Sequence, residues 1–220
     1  MLKHNEALLS CRTRLETLAV VSTGAVALER VVDGFRRSTG SFLTDGFAPG
    51  MEITVAGFNK AYVGTLIDVT ATRLTVDDVL TAQASGAGRT ISVVLPATFF
   101  KTNVTGTPTV GRPYVEEDYL FGPAYQPGVG PGSHIIGEPQ YVVRFYVASG
   151  VDSDAHTAYV GAVLALFPPH ATMALASGQT LRVRSSPAPY AGQILPRDET
   201  GHWSWISVTI PLRAYTVNPS

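Results

Sequence analysis

The chain has 220 residues, a formal net charge of −1 and 45% hydrophobic content, enough apolar material for a proper core. Only 15% of its residues are charged, against the roughly 25% usual in soluble domains, a low surface charge that suits a protein held in an assembly. The near-neutral balance excludes a protein that wraps nucleic acid with its whole surface, and no apolar run approaches the ~18 residues that cross a bilayer. The amino-terminal stretch lacks an apolar segment of signal-peptide type, so the expectation is a soluble intracellular product.

Near the start, Leu8, Cys11, Leu15 and Leu18 recur at helical spacing with Arg12, Arg14 and Glu16 between them, which predicts an amphipathic helix ending near Thr23-Gly24. Cys11 lies on the apolar stripe and reads as a small buried hydrophobe; being the one cysteine, it rules out a disulfide within the chain. From Thr39 to Leu95 the pattern changes to short alternating runs: Met51, Ile53 and Val55; Thr65, Ile67 and Val69; Leu74 and Val76; Ile91, Val93 and Leu95. Gly, Asn and Asp turns separate them. Residues 35–96 are therefore expected to form an inserted all-β small barrel or sandwich within a discontinuous parent domain of residues 1–34 and 97–220. A unit that small buries a modest share of its surface and should lean on its parent. Excising Phe35 to Leu95 is expected to leave a folded core.

Residues 112–139 hold Tyr114, Tyr119, Phe121 and Tyr125 among Gly-Pro pairs and read as a long arm that orders against a neighbouring molecule. Next, Tyr141, Val143, Phe145 and Val147 alternate with Val142, Arg144 and Tyr146, a strand apolar on nearly both faces and so interior to a sheet. Asp152, Ser153 and Asp154 suit a helix start. The helix carries a stripe of Ala155, Ala158, Tyr159, Ala162, Val163, Leu166 and Phe167 and stops at Pro168-Pro169. Val160 and Leu164 lie off that stripe, which predicts a second neighbour and makes them candidate subunit contacts. A strand from Leu181 to Arg184 follows, then a last one from Trp203 to Tyr215. In the last, Trp203 and Trp205 have opposite parity to Ile206, Val208 and Ile210, which requires a bulge or a change of buried face. Pro211 favours an edge position there. The fold class expected from this order is α+β, a mixed β-sheet flanked by helices, with the β-insert.

The sequence carries no nucleophile elbow, no His-Glu-x-x-His, no paired cysteines and no phosphate-loop Lys-Ser/Thr after Gly128–Gly132, so the expectation is a protein that is not an enzyme and holds no cofactor. The five histidines are scattered, which argues against a metal. Arg182, Arg184 and Arg197 form either a solvated strand face or a patch toward phosphates.

The first helix, the run Gly111 to Asp118, the strand Tyr141 to Val147, the helix Asp154 to Phe167, the strand Leu181 to Arg184 and the closing Trp203 to Ile210 together resemble the tail terminator (tail completion) proteins of long-tailed bacteriophages. The resemblance covers residues 1–33 and 97–220; the β-insert is similar to a module that recurs in phage structural proteins and departs from the compact family pattern. It implies a virion structural protein, assembled in the host cytoplasm, that forms a hexameric ring capping the tail tube, stops tube growth and offers a surface for head attachment. The implied partners are further copies of itself, the tail tube protein and the head-tail connector protein, with DNA only as passing cargo and no membrane. In that reading Tyr114, Tyr119, Phe121, Tyr125, Val160 and Leu164 make subunit contacts and Arg182, Arg184 and Arg197 face the lumen. A different connector or baseplate component is the alternative, and a carbohydrate-binding module stacking sugars on Trp203 and Trp205 is a third.

Overall fold

The computed structural model describes residues 3–102, 104, 106–127, 134–151, 153–196 and 201–217. Helix α1 (His4–Leu15) comes first, then β1 (Ala19–Ser22), β2 (Val26–Val31), β3 (Gly34–Arg37), the one-turn helix α2 (Phe42–Asp45), β4 (Glu52–Ala56), β5 (Tyr62–Val69), β6 (Arg73–Val76) and β7 (Gln83–Val94). Strands β7, β2, β3, β6, β5 and β4 pair in that order, all antiparallel, and β4 returns to β7, so six strands close a barrel with no free edge. β1 continues the line of β2 and pairs with the far end of β7. Phe35, Leu28, Leu74, Leu66, Ile53, Val55 and Ile91 fill the interior. At one end α2 inserts Phe42, and its amino terminus is capped by Ser41, whose Oγ accepts from the Thr44 N–H at 3.2 Å. The barrel's strands begin at Val26, upstream of the expected insert boundary at residue 35.

The rest of the chain builds one curved sheet and one further helix: β8 (Thr98–Phe100), β9 (Tyr114–Leu120), β10 (Ala124–Tyr125), β11 (His134–Gly137), β12 (Gln140–Ala148), α3 (Asp154–Leu166), β13 (Thr172–Ala174), β14 (Thr180–Val183), β15 (Tyr190–Ala191), β16 (Leu195–Pro196) and β17 (Trp203–Val217). Its axis is β17. Along one side β17 pairs with β11 and then β12, which share a single register interrupted only at residues 138 and 139; along the other it pairs with β14, β15 and β16 in turn. β9 lies outside β12, β10 outside β11 and β13 outside β14. Both helices pack on one face. Phe145 stacks on Tyr159 with ring centroids 4.9 Å apart, and Cys11, Leu15, Val163 and Phe167 complete that core.

This architecture corrects the expected fold class. The protein is mostly β, 45% strand and 15% helix, a closed barrel plus a half-barrel sheet, and not an α+β sheet flanked by helices. The cause lies in stretches read as loop. Tyr114–Leu120 alternates Val115, Glu117 and Tyr119 inward with Glu116 and Asp118 outward and forms β9, while two two-residue strands, β15 and β16, follow the expected strand β14 along the far side of β17. Pro211 is likewise central, not at an edge. It faces Gln140 beside the interruption between β11 and β12, so no ladder donor is missed, and its carbonyl accepts from Arg184 N at 2.9 Å. Among the described residues no helix is long and apolar enough to cross a membrane.

Candidate functional site

The residues picked out as subunit contacts divide into two groups. Tyr114 and Tyr119 are buried within the chain. Tyr114 stacks on Tyr146 at 4.3 Å and meets Trp203 edge-on at 5.7 Å, on the sheet face away from the helices. Trp205 packs against the same cluster, so the two tryptophans serve as internal packing. Val160 is buried and Leu164 half-buried against the core, because β1 and α1 of the same chain cover the second apolar side of α3. Phe121 and Tyr125, in contrast, project from the sheet, Phe121 at 72% exposure and Tyr125 at 45%.

Phe121 leads from β9 into the β10–β11 hairpin, which forms one margin of the sheet. Across β17, the opposite margin is β15 and β16, with Tyr190 at 50% exposure and Ile194 and Leu195 also exposed. β10 pairs only with β11, and β15 and β16 only with β17, so both margins present unpaired strand edges among the described residues. An exposed edge with apolar side chains is a template for strand addition by another chain. Sequence reasoning missed Tyr190, Ile194 and Leu195, since the segment from Ser185 to Pro196 carries no alternation long enough to predict a strand.

Arg182 stands on the outer face of β14, away from the helices, Arg184 follows just past the end of that strand, and Arg213 of β17 lies directly opposite Arg182 in the strand register. Glu138 accepts from Arg184 Nη1 at 2.9 Å and from Arg213 Nη2 at 2.7 Å. The bond from Arg213 does most to hold its carboxyl below the ordinary value, and the charge of Arg184 adds to this. Arg182 Nη2 donates to His170 Nδ1 at 2.9 Å, which puts the imidazole proton on Nε2. Arg182, Arg184, Arg213 and His170, with Ser185, Ser186 and Tyr215, line a cavity of about 240 Å3. Arg197 lies outside the described residues. Arg213 and Glu138 were not singled out from the sequence, although the parity of Arg213 opposite to Leu212 and Ala214 places it on this face.

A second buried polar group centres on Glu117. Glu117 Oε1 accepts from Arg12 Nε at 2.8 Å and from Thr102 N at 3.3 Å, and its Oε2 accepts from Tyr141 Oη at 2.8 Å, which ties α1 to two strands. Burial first, then the Glu117 charge, pushes the Tyr141 phenol well up. Among the described residues no three His, Cys, Asp or Glu side chains gather as a metal site.

No protein-family description and no curated protein matches this chain. A solved structure of a protein without a functional name is similar at 20% identity, over 58% of this chain and 83% of that one, with a TM-score of 0.42. A likeness that loose carries no argument about fold or function.

Proposed function

We propose that the chain is a virion structural subunit of a long-tailed phage that closes into a ring on the end of the tail tube, the tail-terminator role. One observation carries this reading. A single sheet exposes two different margins, the Phe121–Tyr125 hairpin and the Tyr190–Leu195 edge, on opposite sides of the same central strand. Two unlike surfaces on one protomer make heterologous, head-to-tail contacts, and such contacts generate rings when the rotation closes. A two-fold dimer, by comparison, uses one surface twice. Support no longer comes from a helix-flanked sheet, which this protein lacks, nor from the apolar sides of α3, which are covered internally.

The test is imaging of the purified protein by negative stain, alone and mixed with short tail tubes, together with mass measurement in solution. Closed sixfold rings, or caps at one end of each tube, support the terminator role. Rings that ignore tubes assign the protein to the connector or baseplate instead. Monomers at high concentration with bare tubes would sink the proposal.

A further inference from the structure

The outer face of β14 and β17 sets like charges against one another. Arg182 and Arg213 are direct cross-strand partners, an arrangement that destabilises a sheet unless an anion lies between the two. Arg184 continues the row, bonded through its N–H to the Pro211 carbonyl at 2.9 Å, and Ser185 and Ser186 form the rim of the cavity. Two of the three guanidiniums, those of Arg184 and Arg213, thus share one carboxylate, Glu138, on a chain whose total charge is −1. Glu138 answers Arg184 and Arg213, and its Oε1 also accepts from the Tyr125 hydroxyl at 3.5 Å. Among the described residues Arg182 meets no carboxylate and instead lies 2.9 Å from His170 Nδ1. Among the described residues the Nε atoms of Arg184 and Arg213 are buried without a hydrogen-bond partner.

We propose that this face is a phosphate-binding site, in which phosphate oxygens accept from Arg182 and Arg213 together and the hydroxyls of Ser185 and Ser186 complete the shell. Guanidinium groups present planar paired donors that match phosphate oxygens. Here strand register holds them, not a loop, so little ordering remains to be done on binding. The phosphate is either one in a DNA backbone or free inorganic phosphate. The site stands on the register of two strands and is independent of ring assembly.

The test uses the full chain. Binding of a labelled short DNA duplex is followed by fluorescence anisotropy across a salt series, and thermal unfolding is followed with inorganic phosphate against chloride at equal ionic strength. Wild type is compared with Arg182→Ala, with Arg182→Ala/Arg213→Ala, and with Arg36→Ala, an exposed arginine on the barrel. Arg182→Ala leaves both Glu138 bonds in place, so it reports on the site even if the double variant fails to fold. The expected result is duplex binding about tenfold weaker in Arg182→Ala, with a salt dependence shallower by about one unit of slope, and no change in Arg36→Ala. A phosphate-induced rise in melting temperature that Arg182→Ala abolishes, without duplex binding, assigns the site to free phosphate. Equal losses in Arg36→Ala and Arg182→Ala, or no ligand that separates Arg182→Ala from wild type, overturn the proposal.

Discussion

Glu52 is a carboxylic acid that folding removes from water: it is 5% exposed at the junction of β4 with the sheet, and its Oε1 accepts from Ala97 N at 2.7 Å. Burial raises its pKa above the ordinary value of 4.5 and outweighs that bond and the charge of Arg112. Between the ordinary and the raised value the folded chain holds a proton that the unfolded chain has lost. The contribution of Glu52 to stability therefore falls as pH rises through that window. Glu52→Gln keeps the acceptor oxygen and removes the ionisation, so it should raise the melting temperature at pH above the window and flatten the slope. Melts of both proteins from acid to neutral pH check this, and equal slopes would refute it. His156 has the opposite sign. It is 1% exposed, its Nε2 lies 3.2 Å from the Ser204 carbonyl, and burial lowers its pKa from 6.5. Stability from the neutral ring is present above about pH 6.5 and is lost as pH falls through the lowered value, a limb that His156→Gln should remove. Glu117→Ala leaves Arg12 and Tyr141 without their shared partner and should cost about 3–5 kcal/mol in urea unfolding.

At the scale of elements, patterning was readable where an element buries one continuous face. The stripe of α1 appears in part: Cys11 and Leu15 are buried together with Ala7, but Leu8 is half-buried and the helix stops at Leu15, not near Thr23-Gly24, because Ala19–Ser22 is drawn into β1 against β7. β12 runs between β9 and β17 as its two-sided apolar alternation requires. β9 was lost among Gly and Pro, and its aromatics were read as an arm because nothing local distinguishes a tyrosine stacked inside a chain from one stacked across an interface. Close approach explains one of the glycines nearby. A Cβ at Gly122 would lie 1.6 Å from the Glu138 carbonyl oxygen, where the hairpin crosses itself. Gly34 is similar: with φ +155° and a would-be Cβ 1.9 Å from the Leu74 carbonyl oxygen, Gly34→Ala should push β3 off β6 and lower the melting temperature. The two sheet margins make a sharper prediction. Phe121→Ser/Tyr125→Ser and Ile194→Lys/Leu195→Glu should each abolish self-association and leave the melting temperature near wild type, as exposed substitutions do. Mixed together, the two variants should form heterodimers that grow no further, because each retains the margin the other lacks. Native mass spectrometry reads this directly, and two inert monomers would refute head-to-tail pairing.

At the scale of the molecule, barrel and sheet share one core. Phe42, Met51, Ile53 and Val93 belong to the same buried cluster as Tyr159, Val163 and Phe145, and the Tyr159 hydroxyl lies 3.4 Å from the Glu52 N–H. Calorimetry should therefore show a single unfolding transition. Excising Phe35 to Leu95 would strand β2 without β3 or β7, its two barrel neighbours, so that variant should lose cooperative unfolding, contrary to the expectation from sequence. Retention of a sharp transition would show that the sheet and its two helices fold alone.

The sequence by itself determined the helix α3 and the start of α1, the apolar centre of the sheet at β12 and β17, and the strand-rich character of the middle, though not the end of α1 or the single turn of α2. Each rests on side-chain periodicity, which is local and set by the geometry of the backbone. The strand register that sets Arg182 against Arg213, the closure of β4 onto β7, and which apolar surfaces stay uncovered were decided only by the tertiary structure. Those outcomes depend on residues far apart in the chain, and a strand as short as β15 or β16 forms because β17 offers it a partner, not because its own sequence demands it.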